Sequence, residues 1–309
     1  MRVVFMATGD IAIPSLQRLI GFPGIEVVAV YTQPDRPFGR KLEMHPPEIK
    51  KVALAAGIPV FQPERLADAM TELRALRPDL IVVMAYGQIL RRAVLTLPPL
   101  GCLNLHASLL PRHRGASPIQ AAIRAGDTES GITVMHIAPA LDSGDIILVK
   151  SIPIRPDETG GTLHDRLAEL APEALGDALE QIIAGTATRV RQDDALATYL
   201  GKLTREDGAI DWSRSSTEIE RWIRAFDPWP GTHTEWQGQK LKLFPPVQLS
   251  EGSGRPGEIL EAEGDRLTVA CGSGALTLGE VQVEGRKRLD IRAFLAGQRD
   301  ALRPGIQMG

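Results

Sequence analysis

Leu80-Ile81-Val82-Val83-Met84-Ala85 is apolar from end to end, and Cys102-Leu103-Asn104-Leu105-His106 follows it with only Asn104 and His106 breaking the run. A strand with one wet face alternates polar and apolar residues, whereas a strand covered on both faces has no position to spare for polarity. Residues 2–6 (RVVFM) and 27–31 (VVAVY) read the same way. Helical segments separate these runs: 15–20, 47–56 with prolines suited to its first turn, and 66–76. Apolar strands alternating with helices at this spacing predict an α/β fold with a doubly wound, mostly parallel sheet. Ligands of such sheets lie in the crevice at the carboxyl ends of the strands, which is where Asn104 and His106 fall.

Further along, residues 162–184 form a long amphipathic helical stretch, interrupted at Pro172, that would close the first domain. Residues 185–203 are polar and irregular. After them come one helical segment, 216–226, and short β-like runs at 240–244, 257–260, 267–270 and 275–283, punctuated closely by Gly and Pro. That pattern predicts a small barrel or curled sheet. The expected partition is a catalytic domain over 1–189, a linker over 190–206 and a smaller domain over 207–309.

A chain of 309 residues with 43% hydrophobic content can bury a sizeable core, and its net charge of −3 gives no global sign of nucleic-acid binding. No apolar run approaches the ~18 residues of a membrane span and no leader sequence is evident, so the cytoplasm is the expected compartment. The two cysteines, Cys102 and Cys271, are far apart and offer no metal-ligand spacing, so neither a disulfide framework nor a metal site is expected.

Successive side chains of a strand point to opposite faces, so Asn104 and His106 project together, two rises of ~3.3 Å apart. A carboxamide NH2 that can steady an oxyanion and an imidazole that can move a proton are the pair that acyl transfer needs. A carboxylate to orient the histidine would complete the set. Residues 131–138 read as another strand ended by Pro139, and Asp142 and Asp145 both lie on the loop beyond; spacing alone does not choose between them. Cys102 and His106 are four residues apart on one strand, roughly 13 Å, which is too far for a nucleophile and its base. The turn Ala7-Thr8-Gly9-Asp10 has one glycine, too few for a dinucleotide fingerprint. Arg36, Arg40 and Lys41 sit in a Pro- and Gly-rich loop, either a solvated charged loop or a lid whose guanidinium groups meet phosphates.

The run from Asn104 to Gln120 (NLHASLLPRHRGASPIQ), with Leu141-Asp142-Ser143-Gly144-Asp145, resembles the folate-dependent formyltransferases. Within that family the chain is similar, over nearly its whole length, to the enzymes that act on initiator methionyl-tRNA. Gln33 to Arg40 (QPDRPFGR) matches their tRNA-facing insertion, and Ile210-Asp211-Trp212 with Phe226 to Gly231 (FDPWPG) matches the start of their OB-like second domain. The resemblance implies a formyltransferase-type fold with an OB-like, tRNA-binding C-terminal β-barrel. It implies 10-formyltetrahydrofolate as co-substrate without a metal, and the methionine α-amino group of initiator tRNA as acceptor. It also implies a monomer that acts through Asn104, His106 and Asp142. Ser108-Leu109-Leu110-Pro111 and Ala85-Tyr86-Gly87 correspond to folate-pocket walls, and Arg40, with Arg36 and Lys41 beside it, to the loop that meets the acceptor arm. A small amine acceptor, such as an amino-sugar nucleotide, or water is the alternative. Asp142 is expected to favour the charged form of His106, with His106 and Asn104 together holding the oxyanion. Relatives have Gly-Thr-Pro where this chain has Ala7-Thr8-Gly9. From Arg205 onward there are 14 Lys/Arg against 16 Asp/Glu, so the second domain is not basic overall.

Overall fold

The computed structural model describes residues 1–39, 43–298 and 302–309. The chain runs β1 (Arg2–Ala7), α1 (Ile13–Ile20), β2 (Glu26–Tyr31), β3 (Arg36–Phe38), β4 (Glu43–His45), α2 (Glu48–Ala55), β5 (Val60–Phe61), α3 (Met70–Ala75), β6 (Leu80–Met84), α4 (Arg92–Leu95), β7 (Cys102–His106), α5 (Pro118–Ala125), β8 (Glu129–His136), β9 (Ile146–Pro153) and α6 (Gly160–Ala184). Seven of these strands make one sheet in the order β5-β2-β1-β6-β7-β8-β9. Pairing is parallel from β5 through β7 and antiparallel between β7 and β8. The expected doubly wound, mostly parallel sheet is present. Every residue of β6 is buried, and β1 is buried from Val3 onward, as helices on both faces require. Edge strand β9 instead alternates between half-buried and exposed positions.

The segment after β2 carries strands of its own, because β3 and β4 pair antiparallel with Arg36 opposite His45. Residues 185–203 contain one short 3₁₀ turn, Asp194–Leu196, and are otherwise irregular. They are nevertheless tied down at both ends. Val190 and Ile146 exchange backbone hydrogen bonds, and Arg114 does the same with Thr198 and Leu200.

The chain divides into two compact units. The first comprises Met1–Pro118, Ser130–Ile152 and His164–Leu200; the second comprises Ile119–Glu129, Pro153–Leu163 and Gly201–Gly309. In the second unit, α7 (Ser216–Ala225) precedes β10 (Thr232–Trp236), β11 (Gln239–Ser250), β12 (Ile259–Glu263), β13 (Arg266–Ala270), β14 (Ala275–Val283), β15 (Leu289–Asp290) and α8 (Ile291–Ala296). The strands form an antiparallel sheet ordered β10-β11-β14-β13-β12, with β15 added on β14. Among the described residues no ladder joins the end strands β10 and β12. Ile219 and Ile223 of α7 and Phe294 of α8 pack with Leu241, Leu276 and Val281 in its core. Helix α7 starts at a capping box, in which the Ser215 hydroxyl accepts from the Glu218 amide and the Glu218 carboxylate accepts from the Ser215 amide. Strand β11 passes through Pro245-Pro246 because the register shifts between Phe244 and Val247, where the missing proline amides leave no ladder bond unmade. Among the described residues no helix is long and apolar enough to cross a membrane.

Candidate active site

The loops after β1, β2 and β6 meet at the carboxyl edge of the parallel strands. The amides of Thr8 and Gly9 donate to Ala85 O at 3.1 and 3.3 Å, and the Thr8 hydroxyl donates to Tyr86 O at 2.9 Å. From β2, the Gln33 amide donates to Thr8 Oγ1 at 3.2 Å, and its side chain donates to Tyr86 O at 3.3 Å. The atypical Ala7-Thr8-Gly9 turn therefore has its shape fixed by Ala85 and Tyr86, and a Cβ on Gly9 would stand 3.2 Å from Ala85 Cβ. Ala85 and Gly87 are exposed with φ of 48° and 86°, while Tyr86 between them is buried, its hydroxyl pKa pushed up to about 12 by that burial.

The turn after β7 closes on itself. Ser108 Oγ donates to Arg112 O at 2.8 Å, while the Thr133 hydroxyl donates to Ser108 O at 2.6 Å and accepts from the Leu110 amide at 3.2 Å. Ser108 and Leu110 are buried by this turn, and Leu109 and Pro111 are half-buried.

Three polar side chains expected to work together lie at these loops. Asn104 is half-buried, and its carboxamide finds no hydrogen-bond partner among the described residues, so the NH2 is available to a ligand. His106 is 5% exposed and its Nε2 lies 2.8 Å from His113 O. A carbonyl only accepts, so Nε2 carries the proton and a neutral ring keeps its lone pair on Nδ1. That atom lies 3.9 Å from Asp142 Oδ2. Burial holds the imidazole below its ordinary pKa, against the opposing pull of the Asp142 carboxylate and the His113 carbonyl. Asp142 thus favours the charged form of His106, as expected, but the loss of water around the ring outweighs that attraction. With the Nε2 proton committed to His113, Asn104 keeps a free donor at this site.

Asp142 is the nearer of the two candidate acids by position and by partner, since its Oδ2 accepts from the Gly115 amide at 2.8 Å. How it arrives there differs from a simple strand-end placement. Strand β8 runs antiparallel to β7 and ends with His136 opposite Leu103, about 10 Å from His106 by the usual rise per residue. The loop beyond must therefore double back toward His106 before His136 N meets Asp145 O at 2.9 Å. The backbone carbonyl of Asp145 makes that closure and its carboxylate acts on His136, while Asp142 sits at the returning bend with a φ of 47°. The His113 carbonyl and Gly115 amide were not legible as site groups, because both are backbone atoms of a turn.

Arg36 is exposed on β3, and the hairpin base is anchored by Asp35, whose carboxylate accepts from Lys50 at 2.8 Å and Gln62 at 2.7 Å and is held below the usual carboxylate range by them. Arg40 and Lys41 lie outside the described residues. Cys102 is 3% exposed, and burial pushes its thiol up to about 12, which suits a small buried hydrophobe and not a nucleophile. In the second unit, Lys242 stands opposite Gln282, and Lys240 is close enough to His233, with Lys242, to lower that histidine's pKa in addition to burial. Arg288 lies 4.0 Å above the Phe244 ring and pairs with Glu280.

Comparison with known proteins adds to this geometry. The formyl transferase family model matches residues 1–179, and the model of the formyl transferase C-terminal domain matches residues 202–299. A methionyl-tRNA formyltransferase of Akkermansia muciniphila is 53% identical over 96% of this chain and 96% of its own. One of Pseudomonas putida is 50% identical over the full length of both. Among solved structures, an N-formyltransferase from Helicobacter canadensis, in complex with folinic acid and dTDP-3-aminofucose, superposes with a TM-score of 0.65 at 19% identity, covering 91% of this chain and 99% of its own. Two matched domains in one order, and relatives half identical along their whole length, establish that the chain belongs to the formyl transferase family.

Proposed function

We propose that this protein transfers the formyl group of 10-formyltetrahydrofolate to the α-amino group of methionine on initiator methionyl-tRNA, in the cytoplasm and as a monomer, for translation initiation. The observation that carries the reading is the 50 to 53% identity to methionyl-tRNA formyltransferases across the whole of both chains, second domain included. The N-formyltransferase solved with dTDP-3-aminofucose is 19% identical, a level that speaks for the fold alone.

The residues fit a formyl donor. Asn104 offers a carboxamide NH2 with no other partner among the described residues, beside a buried imidazole and next to the apolar turn of Leu109, Leu110 and Pro111, which with Ser108 and the Ala85-Tyr86-Gly87 loop would wall the pterin. Asn104 donates to the formyl oxygen as it gains negative charge in the tetrahedral arrangement. His106 accepts the amine proton at Nδ1 as the new C–N bond forms, and returns it to the folate nitrogen as the old C–N bond breaks. Asp142, 3.9 Å from that Nδ1, stabilises the imidazolium between the two transfers. Arg36, Arg40 and Lys41 would meet phosphates of the acceptor arm. By function, residues 1–189 would carry catalysis and 207–309 would be the OB-like tRNA-binding domain, joined through 190–206, of which the stretch up to Leu200 clusters with the first compact unit, and Lys240 and Lys242 would lie on the face offered to RNA.

The test is a three-way competition. Formyl-labelled 10-formyltetrahydrofolate is incubated with the protein and methionyl-tRNA, an amino-sugar nucleotide, or buffer alone. Label recovered in the tRNA is expected; label in the sugar or in free formate at comparable rates would sink the assignment.

A further inference from the structure

Gln192 lies in the irregular segment between α6 and the second unit, yet it is only 6% exposed. Its Nε2 donates to Asp142 O and to Gly144 O, both at 2.8 Å, and its Oε1 accepts from Arg114 Nε at 3.2 Å and Nη2 at 2.8 Å. The orientation of the amide is not ambiguous, because a guanidinium has no acceptor and a carbonyl has no donor. Glutamine is the side chain of this length that can accept from the first and donate to the second. Arg114 is itself 3% exposed and is held by the Asp194 carboxylate at 2.7 Å and the Tyr199 hydroxyl at 3.0 Å. A chain of hydrogen bonds thus runs from solvent at Asp194 through two buried side chains to the backbone of the Asp142 bend.

That bend needs holding. Asp142 is a non-glycine residue at φ 47°, a conformation costing of order 1 kcal/mol or more that persists only where surroundings over-determine it. Its carboxylate is fixed by the Gly115 amide, one residue from Arg114, and its carbonyl by Gln192. We infer that Gln192 is a positioning residue for the transfer reaction, setting the Asp142 carboxylate against His106 through the loop backbone, with Arg114 fixing Gln192. The inference rests on the proposed role of Asp142.

Gln192→Glu isolates the contact. A carboxylate retains the Arg114 partner and the volume but sets oxygen against two carbonyl oxygens. Expected are a fall in kcat of about 10- to 100-fold, the effect of a small misplacement in a catalytic set, and a KM for 10-formyltetrahydrofolate within about 3-fold of wild type. Without any substrate, the Gly115 amide proton, which reports on the Asp142 carboxylate, should exchange about 10-fold faster. In an Asp142→Asn background the same substitution should reduce kcat by less than about 3-fold. Gln192→Met, which removes both sets of bonds, should repeat the pattern. Multiplicative losses in the double variant, or unchanged Gly115 exchange, would overturn the inference, as would both variants failing to fold, which would make Gln192 a stability element. Asp142→Asn with wild-type kcat would instead sink the reading of the site.

Discussion

Replacing Asn104 by Ala separates catalysis from stability because of what the side chain does not touch. Its carboxamide has no hydrogen-bond partner among the described residues and is half-buried, so truncation breaks no internal bond. Stability should fall by no more than about 1 kcal/mol, as for substitutions outside the core and outside polar networks. The transition state, by contrast, loses a free donor at the site, since His106 Nε2 is occupied by His113 O at 2.8 Å. Losing such a donor costs ~3 to 4 kcal/mol, a ~100- to 1000-fold drop in the rate of the chemical step. The rate of that step, read in a single-turnover experiment with enzyme in excess over methionyl-tRNA, excludes product release from the measurement. Asn104→Asp is the companion variant, since it keeps the shape but exchanges the donor for an acceptor and should be at least as slow. If Asn104→Ala transfers within about 3-fold of wild type, or Asn104→Asp is fully active, donation from this carboxamide is not part of the reaction.

His106, His136 and His233 all have pKa values lowered chiefly by burial, so the unfolded chain takes up protons that the folded one refuses. Stability is then fully present above the unfolded value of about 6.5 and falls as pH drops below it; thermal midpoints taken from about pH 7 to 5 should decline, and less steeply for His106→Gln. Gly115 has φ 109° and faces the Leu200 carbonyl so closely that a Cβ would collide with it. Gly115→Ala should lower stability by at least about 2 kcal/mol, and a thermal midpoint equal to wild type would show that the 198–200 strap is not seated there. The Ser215 cap of α7 is worth about 1 kcal/mol, so Ser215→Ala should lose that much in denaturant titration. Phosphate contacts predict that KM for methionyl-tRNA rises steeply between about 50 and 200 mM salt while KM for the folate does not; equal insensitivity of both would count against an RNA acceptor.

The central strands were legible because burial on both faces leaves no room for polar residues, so β1, β2, β6 and β7 were found within a residue or two. Strand β5 has two residues, too short for any periodicity, and β9 lies at an edge where three of its eight positions face water. Strand β10, Thr-His-Thr-Glu-Trp, carries its burial on two threonines and a tryptophan and gives no apolar signal. Reading stopped at Phe244 because two prolines follow, whereas the bulge there lets β11 run to Ser250. At the site, Asn104 and His106 were visible because strand alternation alone pairs them. Gln192 and Arg114 were not, because they meet across 78 residues of chain and nothing in a polar irregular segment marks one glutamine from another. The lowering of the His106 pKa is hidden for a related reason: sequence shows the neighbouring acid, which raises it, but not the loss of water around the ring, which lowers it more.

The polypeptide passes between its two compact units five times, at 118/119, 129/130, 152/153, 163/164 and 200/201. Interleaving of that kind means that no single scissor position yields two intact halves. A fragment beginning at 207 would be missing two inserted pieces of its own body, and one ending at 189 would leave the bend at Asp142 without its brace. Shuffling either half between homologues would therefore have to carry the short excursions along with it.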